Sequence, residues 1–206
     1  MTIVYLVRHS IPFKEHRGIN ESTLSLLEQN ITTPLSIEGE KLADKISDNE
    51  EFKNIDVVWS SDYSRALSTA KYFASKNNIK VNISSYLGER IHGVNSWDEL
   101  PINYEQKQLE DENYKISNGE SQIEVRKRII NKLNKILNEN IDKRILIVGH
   151  ATALTFLLKE WCTNDINKIY FKDKEIFDGS WKYCETFKLE FDNNNNLLNI
   201  CNININ

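Results

Sequence analysis

The run Ile3-Val4-Tyr5-Leu6-Val7-Arg8-His9-Ser10 is an apolar strand that stops abruptly at an Arg-His pair. Its β-branched and aromatic residues favour extended backbone, and the lack of polar alternation predicts burial on both faces. Polar groups just past the last apolar residue emerge at a sheet edge, where open α/β folds bind ligands. Arg8 offers a planar fork of donors suited to an oxyanion, and His9 offers a nitrogen nucleophile beside it. Alone, the pair fits a surface arginine beside a structural histidine just as well.

A second run, Arg144-Ile145-Leu146-Ile147-Val148-Gly149-His150, ends the same way. It leads into Ala151-Thr152-Ala153-Leu154-Thr155-Phe156-Leu157-Leu158, which reads as a buried helix extending to about Trp161. If these strands are parallel neighbours, both imidazoles lie at one edge of the sheet. A third strand, Ile55 to Trp59, is followed by Ser60-Ser61-Asp62 and by a helix expected from about Tyr63 to Lys76, with Ser or Asp as its cap. Arg65 then falls in the first turn, where a cation opposes the helix dipole. An anion site requires just such a violation, because peptide N–H groups and a guanidinium can then converge on one phosphate.

The remaining pattern alternates strand and helix. A helix is expected around Glu21 to Asn30, another from the Ser36 cap to near Phe52, and a strand from Lys80 to Ile83. Ile123, Ile129, Ile130, Leu133, Ile136 and Leu137 recur at helical spacing and predict a helix from about Ser121 to Asn138. The tail alternates over Glu185 to Phe191, turns at Asp192 to Asn196, and alternates again to Ile203, which reads as a hairpin at a sheet edge. Alternation of this kind argues for a three-layer α/β/α sandwich.

Composition bounds the function. A chain of 206 residues with 40% hydrophobic and 27% charged residues reads as a single soluble domain, residues 1–206. A net charge of −4 gives no general attraction to nucleic acid or an anionic membrane, so any cationic site is local. Cys162, Cys184 and Cys201 lack Cys-x-x-Cys spacing, which favours free thiols and a cytoplasmic location. There is no signal-peptide pattern at the N-terminus and no apolar run long enough to span a bilayer.

Taken together, Arg8-His9, the block Ser60 to Ala70, and Glu89 within Leu87-Gly88-Glu89-Arg90 resemble branch 1 of the histidine phosphatase superfamily, the phosphoglycerate-mutase-like family. Thr33-Pro34-Leu35-Ser36-Ile37-Glu38-Gly39, Gly119-Glu120-Ser121 and Gly149-His150 match as well, in the family's order, over Ile3 to about Leu158. The resemblance implies a mainly parallel six-stranded sheet, and His9 as a nucleophile that becomes phosphohistidine. It implies Arg8, Arg65 and His150 as a clamp on the phosphate oxygens, and Glu89 as general acid and then base. Ala151 would offer a backbone N–H. With two permanent cations and a second histidine, neither metal nor cofactor is needed, and the implied partner is a small phosphorylated substrate. The general-acid role asks for a carboxyl whose pKa the neighbouring phosphate raises. The plain alternative for Glu89 is a surface salt bridge with Arg90.

Weaker candidates surround this set. His16 and His92 have no ligand spacing toward a metal and are expected on loop surfaces. Lys14, His16 and Arg17 greet an anion or simply face solvent, Trp97 and Asp98 line the mouth or pack, and Gly119-Glu120-Ser121 contacts substrate or starts a helix. Three departures stand out: Ser10 replaces a common Gly, Ala151 another, and Glu15 an Asn that holds phosphate in relatives. The long insertion with consecutive prolines of cofactor-dependent phosphoglycerate mutases is missing, which favours a phosphatase. A mutase and a catalytically silent phosphate-binding module are the alternatives. Specificity is assigned to Trp97–Asn118 and the loop after Ser10, and the chain is compatible with a monomer or a homodimer.

Overall fold

The protein is described here by a computed structural model covering residues 1–13, 24–165 and 168–203. Its strands are β1 (Thr2–Arg8), β2 (Val57–Ser60), β3 (Val81–Ile83), β4 (Arg144–Gly149), β5 (Thr163–Asp165), β6 (Lys168–Phe171), β7 (Lys174–Phe177), β8 (Thr186–Phe191) and β9 (Leu197–Ile203). The helices are α1 (Leu26–Thr32), α2 (Ile37–Ser47), α3 (Ser64–Lys76), α4 (Tyr104–Glu110), α5 (Gln122–Glu139) and α6 (Ala151–Leu158). Six strands form the central sheet in the order β3-β2-β4-β1-β8-β9. β3, β2, β4 and β1 are parallel, while β8 and β9 add antiparallel at one edge. This is the α/β sandwich that the alternation of elements implies, with the mainly parallel six-stranded sheet that the resemblance implies.

Burial on both faces explains the unbroken apolar runs. Along β1, Val4 and Leu6 point to one face and join Ile145 and Ile147 under Leu133 and Ile136 of α5 and Leu154 and Leu157 of α6. Tyr5 and Val7 point to the other and join Leu146 and Val148 under Ala66, Ala70 and Phe73 of α3. The two-residue period of a strand divides each run between two helical layers. Each such side chain contributes roughly 1.5–3 kcal/mol on full burial, so this double core anchors the central strands.

The register carries the functional consequence. β1 and β4 pair from Ile3 with Arg144 through Arg8 with Gly149, so His9 and His150 leave the sheet side by side. Ser60 pairs with Val148, which brings the end of β2 to the same edge.

Sequence motifs fasten the loop after His9. The Ser10 hydroxyl donates to the Gly39 carbonyl at 2.7 Å, and the Ser10 N–H donates to Thr69 Oγ1 at 2.9 Å. Ser36 caps α2 by accepting from Gly39 N–H at 3.0 Å, and its own N–H donates to the Ile11 carbonyl at 3.0 Å. Gly39 is required by closeness: a Cβ there would stand 2.1 Å from the Ile11 carbonyl oxygen. The Leu-Ser-x-x-Gly stretch is thus a bracket for the loop that follows His9.

Several expectations need correction. α2 stops at Ser47, and a separate 3-10 turn covers Glu50–Phe52. β2 starts at Val57 instead of Ile55, and α6 ends at Leu158, short of Trp161. The helix placed at 21–30 is α1, which Ser25 caps in a box with Glu28. No side chain caps α3, whose N-cap is Tyr63; Ser61 lies two residues earlier, its Oγ accepting from Tyr63 N–H at 3.4 Å and meeting His150 at 2.8 Å. α4 and the small antiparallel sheet β5-β6-β7 were not anticipated. That sheet contributes Ile169, Phe171, Ile176 and Phe177 to the α5–α6 side of the core. Lys14, Glu15, His16 and Arg17 lie outside the described residues. Among the described residues no helix is long and apolar enough to cross a membrane.

Gly39→Ala is expected to lower stability by about 1–3 kcal/mol, the usual cost of overpacking, because backbone must move to admit the methyl group. A urea midpoint equal to that of the parent chain would show that the bracket is not rigid.

Candidate active site

His9 and His150 stand with ring centroids 5.2 Å apart, as the parallel register dictates. Between them lies Arg65, the second residue of α3, only 1% exposed. Its Nε donates to His9 Nε2 at 3.0 Å, and its Nη2 donates to His150 Nδ1 at 3.2 Å. Its Nη1 donates to the Asn30 carbonyl, and Nη2 also reaches Asn30 Oδ1 at 3.4 Å.

A guanidinium can only donate, so each imidazole nitrogen it faces must be an acceptor. This fixes the protons. His9 carries its hydrogen on Nδ1 and donates it to the Ser10 carbonyl at 2.7 Å. His150 carries its hydrogen on Nε2 and donates it to Ser61 Oγ at 2.8 Å. Both rings are neutral in this arrangement, and His9 holds a lone pair on Nε2. Arg65 therefore orients the nucleophile it is expected to assist.

Arg8 approaches from the opposite side. Its Nη1 donates to the Trp181 carbonyl at 2.7 Å, and its guanidinium lies 4.3 Å over the Tyr183 ring. Burial lowers its pKa from the ordinary arginine value, with Tyr183 and Glu89 opposing that shift.

Glu89 is held by backbone. Oε1 accepts from the N–H groups of Arg90 at 2.8 Å and Ala153 at 2.9 Å, and Oε2 accepts from Thr152 at 3.2 Å. The last two are first-turn donors of α6, where the helix dipole favours a carboxylate. The salt bridge with Arg90 considered from sequence is not formed. The Arg90 guanidinium turns instead to Gln108, His92 and Glu105.

A cavity of about 210 Å³ gathers Arg8, His9, Arg65, Glu89 and Ala151, together with Asn30, Arg90, His92, Trp97 and Tyr183. His150 is fully buried behind it and reaches it through Arg65. Of the six residues singled out from sequence, five line one hollow and the sixth braces it. Ser61, Asn30 and Tyr183 were missed. Ser61 sits in a recognisable Ser-Ser-Asp stretch, but helix capping explained it equally well. Nothing local marks Asn30 or Tyr183.

Two expectations about neighbouring residues change. His92, placed on a loop surface, is only 7% exposed, accepts from Arg90 Nη2 at 3.1 Å, and packs edge-on against Trp97. Gly119-Glu120-Ser121 proves structural: Ser121 caps α5, and Glu120 meets Arg128 at 2.6 Å while accepting from Ile91 N–H at 3.0 Å. Arg128 in turn donates to the Glu89 carbonyl at 3.0 Å. This pair clamps the segment that carries Glu89. Among the described residues no group of three or more His, Cys, Asp or Glu side chains is arranged to hold a metal ion.

The family model described as histidine phosphatase superfamily (branch 1) matches residues 4–203. The chain belongs to that superfamily. No curated protein matches it. Among solved structures, Bacillus stearothermophilus YhfR superimposes with a TM-score of 0.70 at 18% identity, covering 96% of this chain and 95% of its own. A phosphoserine phosphatase from Entamoeba histolytica, solved with phosphoserine, gives 0.68 at 20% identity, covering 97% and 96%. A mycobacterial glucosyl-3-phosphoglycerate phosphatase gives 0.66 at 15% identity, covering 91% and 89%. At these identities the superpositions speak for the superfamily fold. Two of these three relatives are named as phosphatases.

The His92 environment makes a pH prediction. Burial first, then the Arg90 charge, pushes its pKa down to about 4. The unfolded chain, with an ordinary histidine, binds a proton between about pH 6.5 and 4 that the folded protein refuses. Stability is therefore lost as pH falls through that window. His92→Gln is expected to flatten this acid-side slope in denaturation midpoints measured from pH 7 to pH 4.5; an unaltered slope refutes the assignment.

Proposed function

We propose that the protein is a phosphomonoesterase that hydrolyses a small phosphorylated metabolite through a phosphohistidine on His9. The observation that carries this reading is the state of the nucleophile. His9 Nε2 is an unprotonated acceptor, held by Arg65 Nε–H at the floor of a hollow lined by Arg8 and Arg65, while Nδ1–H is held by the Ser10 carbonyl.

The chemistry follows from charge. A phosphate monoester carries between one and two negative charges and three strong acceptor oxygens at neutral pH. Its uncatalysed hydrolysis is so slow that an enzyme must remove on the order of 20 kcal/mol or more of barrier. Phosphoryl transfer has a loose transition state, so positioning and fixed positive charge supply most of that. In the first step Arg65 Nε–H passes from His9 Nε2 to a phosphate oxygen, and the freed lone pair forms a bond to phosphorus as the ester P–O bond breaks. The Nδ1–H bond to Ser10 stabilises the charge that develops on the ring. The negative charge of the bound phosphate favours the protonated form of Glu89, which gives that proton to the departing alkoxide.

In the second step water attacks phosphorus, Glu89 takes its proton, and the P–N bond breaks to release inorganic phosphate. Arg8 and Arg65 are the permanent cations facing the equatorial oxygens. His150 and Asn30 keep Arg65 aimed, and Ser61 fixes the tautomer of His150. In this scheme the site works without a metal ion.

Return of the phosphoryl group to a second hydroxyl would make the protein a mutase, and the absence of the proline-rich insertion favours release to water. The cytoplasm, where phosphorylated metabolites and reduced thiols occur together, is the location this reading implies.

His9→Ala is expected to abolish release of inorganic phosphate from p-nitrophenyl phosphate assayed with chelator present. Rapid quenching of the parent enzyme should trap an acid-labile, base-stable phosphoryl adduct that the variant lacks. Undiminished turnover by His9→Ala refutes the mechanism. Glu89→Gln should slow an alkyl phosphate roughly a hundredfold or more, with less effect on p-nitrophenyl phosphate, whose leaving group needs no proton. Equal rates on the alkyl ester would remove Glu89 from the reaction.

A further inference from the structure

Building on the phosphatase reading, we propose that the alcohol half of the substrate is an uncharged, largely apolar group seated in a second cavity beside the phosphate cup. That cavity measures about 250 Å³ and shares Arg90, Glu105, Ala151 and Thr152 with the first. Thr152 also gives its N–H to Glu89, so the carboxylate assigned to the leaving oxygen sits at the common wall. A leaving group that passes this wall meets Phe156 of α6, Ile169 of β6, Phe177 of β7, and Trp181. Trp181 is fixed by its indole N–H, which donates to Thr155 Oγ1 at 2.8 Å.

Charged side chains reach this cavity, and each cation there already faces a carboxylate, Glu112 for Lys159 and the largely exposed Glu105 for Arg90. The Lys159 side chain is 5% exposed, its ammonium donating to Gln122 Oε1 at 2.7 Å and lying 3.7 Å from Glu112. Arg90 stands 3.3 Å from Glu105 and is held by Gln108 and His92. A carboxylate on the leaving group would have to break one of these pairs and lose its own water. An alkyl or aromatic group loses only water, which is favourable. The volume exceeds the roughly 150 Å³ of an apolar cavity that holds benzene, so a bicyclic ring or a branched alkyl chain fits.

Free-phosphate release by the intact enzyme tests this with n-alkyl phosphates from ethyl to hexyl and with 2-carboxyethyl phosphate. About fourfold per buried methylene predicts a rise in kcat/KM of a hundredfold or more along the series, with the carboxylate ester no better than ethyl phosphate. Leu109, on α4 at the rim, is 44% exposed and tolerant of change. Leu109→Asp should shrink the hexyl-to-ethyl ratio at least tenfold. A flat series, a preference for the carboxylate ester, or an unchanged ratio in the variant overturns the proposal while phosphate release keeps the phosphatase reading intact. Absence of any turnover, p-nitrophenyl phosphate included, overturns both.

Discussion

The geometry of the site depends on one guanidinium threaded between two imidazoles. Arg65 has no choice of role, because it has protons to give and no lone pair to offer. It thereby dictates that His9 and His150 accept on the sides facing it and donate on the sides facing Ser10 and Ser61. A single buried cation sets the tautomers of two rings that come from strands far apart in sequence. Placing that cation in the first turn of α3 runs against the helix dipole, and Asn30 on α1 offsets part of the cost by accepting from it.

Around this centre the structure separates into a rigid frame and added walls. The frame consists of β1, β2 and β4, whose ends are locked by parallel register, and of the bracket formed by Ser10, Ser36, Gly39 and Thr69. Glu89 belongs to it as well, since α6 N–H groups hold its carboxylate while Arg128 and Glu120 clamp its backbone. The walls are α4 and the β5-β6-β7 sheet, which face the cavities, with Phe177 of β7 packed edge-on against Phe187 of β8. In the proposed reading, reaction chemistry and substrate choice fall to different parts of the chain.

What could be read from the residues follows the same division. The apolar runs ending in Arg8-His9 and Gly149-His150 disclosed both the sheet and its functional edge, because burial on two faces leaves no polar alternation. Arg65 was legible as an offence against the dipole. Ser61 was visible but misassigned, since a Ser before a helix satisfies the capping pattern whether or not a histidine competes for its oxygen. Asn30, Tyr183 and Trp181 could not be found, because their contribution is a contact between residues distant in the chain. The strands β5 to β7 escaped for another reason: three or four residues in length, they are too short to display a period. His92 was misplaced because a lone histidine in a polar stretch carries no sign of burial.

The order of strands has a consequence for biosynthesis. β1, which carries His9, lies between β4 and β8, so it must wait for partners made more than a hundred residues after it. Until then its hydrophobic stretch has no native neighbours on either side, a condition that invites aggregation or chaperone capture. The hollow in such a topology is assembled late and all at once, when β1 is finally flanked by β4 and β8.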